Sequence, residues 1–205
     1  MSSKIPGSLL LLSAILLWSS FPVNADTPPS DKEITQKTGR EEIIEKGEEA
    51  AKRLIHALKA HLTKAIKSKG VVSAVKYCSL AAEGLSGSVN DTLKKDGVNV
   101  KRVSDRFRNP ANKPDRTDLV AIRYFRDSLK RDSYLPPYYI TKQGAQTRYY
   151  KPIRIGKLCL KCHGTEKDIP KAVAKYLREH YPEDRATGYK EGDLRGVIRV
   201  TLNSN

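Results

Sequence analysis

Tyr138–His163 reads YYITKQGAQTRYYKPIRIGKLCLKCH and joins two signals in one run. Tyr138–Thr141 and Thr147–Ile155 are rich in Tyr, Ile and Thr, and they flank Lys142-Gln143-Gly144-Ala145. Aromatic and β-branched runs around a glycine-bearing turn predict a β-hairpin. Directly after its second strand, Cys159, Cys162 and His163 stand in the order C-x-x-C-H.

Outward from the hairpin, Val98–Val103 and Leu194–Leu202 read as further strands, the latter with Ile198, Val200 and Leu202 on one face. Apolar residues at three- and four-residue steps predict a long amphipathic helix from about Arg40 to Ser68. Gly70 should break it, and a second helix follows over Val71–Lys95 with Val75, Cys78, Ala82 and Leu85 on one side. Helices are also expected over Arg116–Arg131, after the proline-bearing loop Arg108–Asp115, and over Pro170–His180. This order of elements is an α+β layout with a mainly antiparallel sheet.

The chain start carries different information. Lys4, the apolar run Leu9–Trp18 and the small-residue site Val23-Asn24-Ala25 predict a signal peptide over residues 1–25 and an exported, periplasmic or equivalent location. The apolar run is short for a membrane span. A flexible leader over 26–39, rich in Pro, Ser and Thr, is expected to precede a single domain over 40–205. The formal charge is +15, and Asp26–Glu49 carries eight acidic side chains against four basic, so the positive excess lies downstream. Such a body favours an acidic protein partner or an anionic membrane surface. No nucleic-acid-binding motif accompanies the charge, so nucleic acid is not expected as a partner. The first long helix suits dimerisation with itself or with a related chain, and equally an intramolecular brace.

Three chemistries compete for C-x-x-C-H. In haem attachment each thiol adds to a porphyrin vinyl group and the adjacent imidazole reaches the iron. Residues i, i+3 and i+4 of a helical turn share one side, so Cys159, Cys162 and His163 can meet one flat ligand together. Zinc needs four ligands and the motif offers two thiolates, with Cys78 and scattered histidines as the remaining donors. A redox dithiol belongs in a βαβ context that is not visible here. The pairing of the motif with an export signal favours haem.

A haem iron has a second axial side. Methionine is a common partner, but the only methionine is Met1. The candidates are Cys78, His56, His61, His180, a lysine or nothing. Cys78 is the odd third cysteine of an exported chain, and metal binding would explain its staying out of a disulfide. Arg106, Arg108 and Lys151 are candidates for the haem propionates. No catalytic constellation is readable, so no enzymatic role is expected. Asn90-Asp91-Thr92 matches a glycosylation sequon.

Tyr149-Tyr150-Lys151-Pro152-Ile153, Leu158–Gly164, Tyr181–Tyr189 and Glu191–Gly196, with the Arg108–Asn112 loop and the Tyr77-Cys78 helix, resemble a bacterial family of exported c-type haem domains with a PAS-like fold. Its members are stand-alone haem proteins or extracytoplasmic sensing segments. The resemblance implies a five-stranded antiparallel sheet with long N-terminal helices, one covalent haem c, His163 as proximal ligand and Cys78 as the other. The expected function is a monohaem cytochrome with His/Cys-ligated iron that senses redox state or binds NO or CO. Low-potential electron transfer to an acidic redox partner is the alternative.

Overall fold

In the computed structural model the described residues are 31–203, with side chains described for 39–76 and 81–203. The expected signal peptide lies outside them. Helix α1, Asp31–Leu93, is broken where the sequence predicts: Gly70 has φ 73° and ψ 172°, so two helical arms meet at a corner. Glycine adopts a positive φ without the steric cost that a Cβ brings. The helix starts earlier than expected, because residues 31–38 of the expected leader are helical.

Strands β1 (Val98–Val103), β2 (Tyr139–Gln143), β3 (Gln146–Arg154) and β4 (Leu194–Asn203) form one antiparallel sheet in the order β1-β4-β3-β2. The expected hairpin is β2–β3, with Gln143 paired to Gln146 across a two-residue turn. Among the described residues the sheet has four strands, not the five that the resemblance implied. After the edge strand β1 the chain cannot run back along it: Ser104 N–H bonds the Asn112 carbonyl at 3.1 Å, and Pro110–Asn112 forms a 3₁₀ turn. Pro110 and Pro114 have no N–H to give a ladder.

Side chains alternate across a strand, so neighbouring residues serve opposite layers. Tyr149, Ile198 and Val200 pack on one face with Ala50, Ala51 and Leu54 of α1. Tyr150, Val103 and Val197 pack on the other with Ala121, Ile122 and Phe125 of α2 (Arg116–Asp132). Full burial of each large side chain contributes about 1.5–3 kcal/mol. The approach of α1 to β3 depends on Gly47, where a Cβ would lie 2.3 Å from Tyr149 Cγ.

The start of α2 is pinned by charge. Asp115 caps it, and Asp118 closes a capping box by accepting from Asp115 N–H at 3.0 Å. The fully buried Asp118 also accepts from Tyr150 Oη at 2.9 Å and pairs with Arg199 Nη1 at 3.0 Å, which ties α2 to β3 and β4. The sequon has a structural use: Asn90 Nδ2 donates to the Val100 carbonyl at 3.1 Å and its Oδ1 accepts from Val100 N–H at 2.7 Å. That side chain therefore joins the end of α1 to β1 as a peptide group would.

Candidate functional site

The chain leaves β3 through the buried Ile155, whose N–H and carbonyl bond Asp193 O and Gly192 N–H, both at 2.9 Å. A 3₁₀ turn, Lys157–Cys159, then runs into the one-turn helix α3, Leu160–His163. The pentapeptide is thus helical, and Cys159, Cys162 and His163 line one cavity of about 310 Å³. Both cysteines are thiols without a disulfide.

Two loops fix this turn from behind. Gly188 N–H donates to the Gly164 carbonyl at 2.6 Å and Tyr189 N–H to that of His163 at 2.9 Å. Arg108 Nη2 donates to the Cys162 carbonyl at 2.6 Å while its Nε pairs with Asp184 Oδ2 at 2.9 Å. Asp184 Oδ1 in turn accepts from Ala186 N–H at 2.8 Å. The Ala186 carbonyl then takes His163 Nδ1–H at 2.7 Å. An imidazole that donates through Nδ1 keeps its lone pair on Nε2, the usual arrangement of a metal-ligating histidine. Burial, followed by the positive charges of Arg195 and Arg108, holds His163 well below the ordinary imidazole pKa. It is therefore neutral, the form that ligates a metal.

Both arms of α1 cover the cavity, with Leu58, Leu62 and Ile66 on the first and Val71 and Val75 on the second. Cys78 is in the second arm, three residues after Val75 and four before Ala82, both of which line the cavity; its side chain lies outside those described. Of the candidate histidines, His61 lines the cavity. His56 is exposed on α1, and His180 at the end of α4 (Lys171–His180) bonds the Tyr176 carbonyl at 3.0 Å and stacks on that ring.

The candidate propionate residues separate. Arg108 lines the cavity, but its Nε and Nη2 are spent on Asp184 and the motif backbone. Arg106 donates to the Thr187 carbonyl and its guanidinium lies 3.8 Å from the Tyr189 ring centre. Lys151 pairs with Glu48 of α1 at 2.7 Å. Neither Arg106 nor Lys151 is among the cavity residues. Sequence reading missed Arg102, Arg154 and Arg195, which do line it. Alternation along β1, β3 and β4 does not single them out.

The walls fit a haem. Two thiols and a neutral imidazole lie together, apolar helix side chains cover them, and Arg195 brings a half-buried cation whose hydrogen-bond acceptors, Ser104 Oγ and the Arg106 carbonyl, are neutral. Among the described residues no three His, Cys, Asp or Glu side chains gather into a metal cage.

Comparison with known proteins agrees with this architecture. A solved structure described as the cyanobacterial heme-protein Tll0287 is similar over 86% of this chain and 98% of its own, with a TM-score of 0.54 and 20% identity, a likeness of fold. No curated protein matches. The model of the Tll0287-like family matches residues 35–203. The chain belongs to the Tll0287-like family.

Proposed function

We propose that this chain is an exported monohaem c-type cytochrome that binds a diatomic gas such as NO or CO in a redox-dependent way. Cys159 and Cys162 would hold its porphyrin, and His163 and Cys78 would hold the iron. The observation that carries this reading is His163, whose Nδ1–H is committed to the Ala186 carbonyl at 2.7 Å while the ring shares a helical turn with both thiols. A haem held here would supply a one-electron iron couple and, with one axial position open, a place for a small ligand.

The protein's own groups divide the work. Cys159 and Cys162 would hold the haem covalently, and His163 would be the imidazole on its iron. Arg108 and Asp184 hold the motif turn in register. The apolar wall of Leu58, Leu62 and Ile66 limits water. Cys78 would hold the iron as a thiolate, whose charge suits the ferric state, and its Sγ is the atom that would take up a proton when that charge is no longer needed. The test is to add CO or NO to the reduced protein and record the visible spectrum. A ligand-bound spectrum supports the reading, and an unchanged one overturns it.

A second reading, electron transfer to an acidic partner, is favoured by one stretch of α1. From Ala50 to Ala82 there are seven Lys or Arg and no acidic residue, and the same helix covers the cavity. Charge of this kind steers association with an acidic surface. Redox titration with spectra separates the two: unchanged ligands in both states mean transfer, and a ligand change means sensing.

A further inference from the structure

Arg195 stands at an irregularity of the sheet. Ile153 pairs with Gly196 and Arg154 with Leu194, so Arg195 is the extra residue of a β-bulge between β3 and β4. Bulges re-aim side chains and recur beside functional sites. Gly196 follows at φ 153°, and a Cβ there would lie 2.5 Å from the Val103 carbonyl, so the bulge depends on glycine at that position. The bulge turns Arg195 into the cavity, where Arg102 of the neighbouring β1 also lies.

The charge of Arg195 is not matched within the protein. Nη1 donates to Ser104 Oγ and to the Arg106 carbonyl, both at 3.0 Å, and the guanidinium lies 5.6 Å from the Tyr189 ring centre. Among the described residues no carboxylate pairs with it, whereas Arg108, Arg148 and Arg199 all have one. A buried cation is costly unless an anion meets it. Its removal from water disfavours the charged form, Tyr189 acts the other way, and the neighbouring Arg108 adds to the cost.

We propose that Arg195, with Arg102 beside it, is a carboxylate seat inside the cavity that receives a haem propionate. A guanidinium presents a planar fork of donors that matches a carboxylate in two hydrogen bonds. The seat sits beside His163, so its charge also acts on the metal: it favours the reduced, less positive iron. This rests on the haem reading above and assigns a role to residues that reading does not use.

The experiment compares haem-loaded full-length wild type with Arg195→Gln, Arg195→Lys and Arg102→Gln. The readouts are resonance Raman bands of the propionates, the midpoint potential and thermal unfolding. The expected results for Arg195→Gln are shifted propionate bands and a potential displaced to more negative values. Arg195→Lys keeps the charge and recovers most of the potential but not the bands. Arg102→Gln shifts the potential in the same direction, and it keeps the test open should Arg195→Gln not fold. Folded Arg195→Gln protein with wild-type bands and potential overturns the seat while the haem reading stands. Colourless wild type overturns the haem reading instead. If added inorganic phosphate moves the wild-type potential while the bands stay unaffected by either glutamine variant, the seat takes a free anion and the propionate assignment is wrong.

Discussion

Replacing Arg108 by alanine separates the role expected from the sequence from the role seen in the structure. The side chain is 13% exposed and its partner Asp184 10%, so the pair is largely out of water. Alanine removes the 2.9 Å Nε contact to Asp184 and the 2.6 Å bond to the Cys162 carbonyl. It leaves a carboxylate whose remaining acceptor bond is the 2.8 Å one from Ala186 N–H. Removing one member of a buried ion pair costs about 3–5 kcal/mol, against roughly 0–1 kcal/mol for an exposed pair. Urea unfolding of the haem-loaded variant should therefore show a loss at the buried end of that scale, with a double-mutant cycle against Asp184→Asn showing strong coupling. The iron spectrum should also broaden, because His163 is oriented through Ala186 on the same loop. A loss below about 1 kcal/mol with a shift in midpoint potential would refute the clamp and restore the expected propionate role.

Four further outcomes follow from single contacts. Gly47→Ala, with its Cβ 2.3 Å from Tyr149 Cγ, should lose about 1–3 kcal/mol or more in chemical denaturation, as overpacked sites do. Asp118→Ala removes the acceptor of the Tyr150 hydroxyl and the nearer of the two carboxylates on Arg199, while Asp115 still pairs with Arg148 and Arg199, and should cost about 1–3 kcal/mol, read as a lowered unfolding midpoint. Asn90→Ala breaks two bonds to Val100 and should cost about 1–3 kcal/mol, with faster amide exchange in β1. At Glu48 burial pushes the carboxyl pKa up, but hydrogen bonds from Lys151 and Tyr149 outweigh it and hold it below its ordinary 4.5. Its stabilisation is thus complete above that value and is lost as pH falls through the lower folded value; Glu48→Gln should flatten the acid limb of a stability–pH curve in that window.

The sequence exposed what is local and hid what is assembled. The Gly70 corner, the hairpin and the helical C-x-x-C-H turn each rest on residues within one run, so periodicity and turn chemistry reveal them. The early start of α1 was obscured because Pro28, Pro29 and Ser30 gave the leader a loop-like composition. The fifth strand came from resemblance alone, since residue patterns read as the four strands that the sheet has among the described residues. The site was legible as a motif but not as a neighbourhood. Nothing in the spacing of Arg108, Asp184 and Ala186 shows that they converge behind Cys162 and His163. Arg195 was missed because a bulge displaces it from the alternation that strand reading relies on.

The most direct measurement is the intact mass, under denaturing conditions, of the purified full-length product made in a host that matures c-type cytochromes. Wild type should carry the added mass of one haem that survives denaturation, and the Cys159→Ser, Cys162→Ser double variant should lose it. A colourless wild type with the mass of the bare polypeptide would contradict the haem assignment at its root.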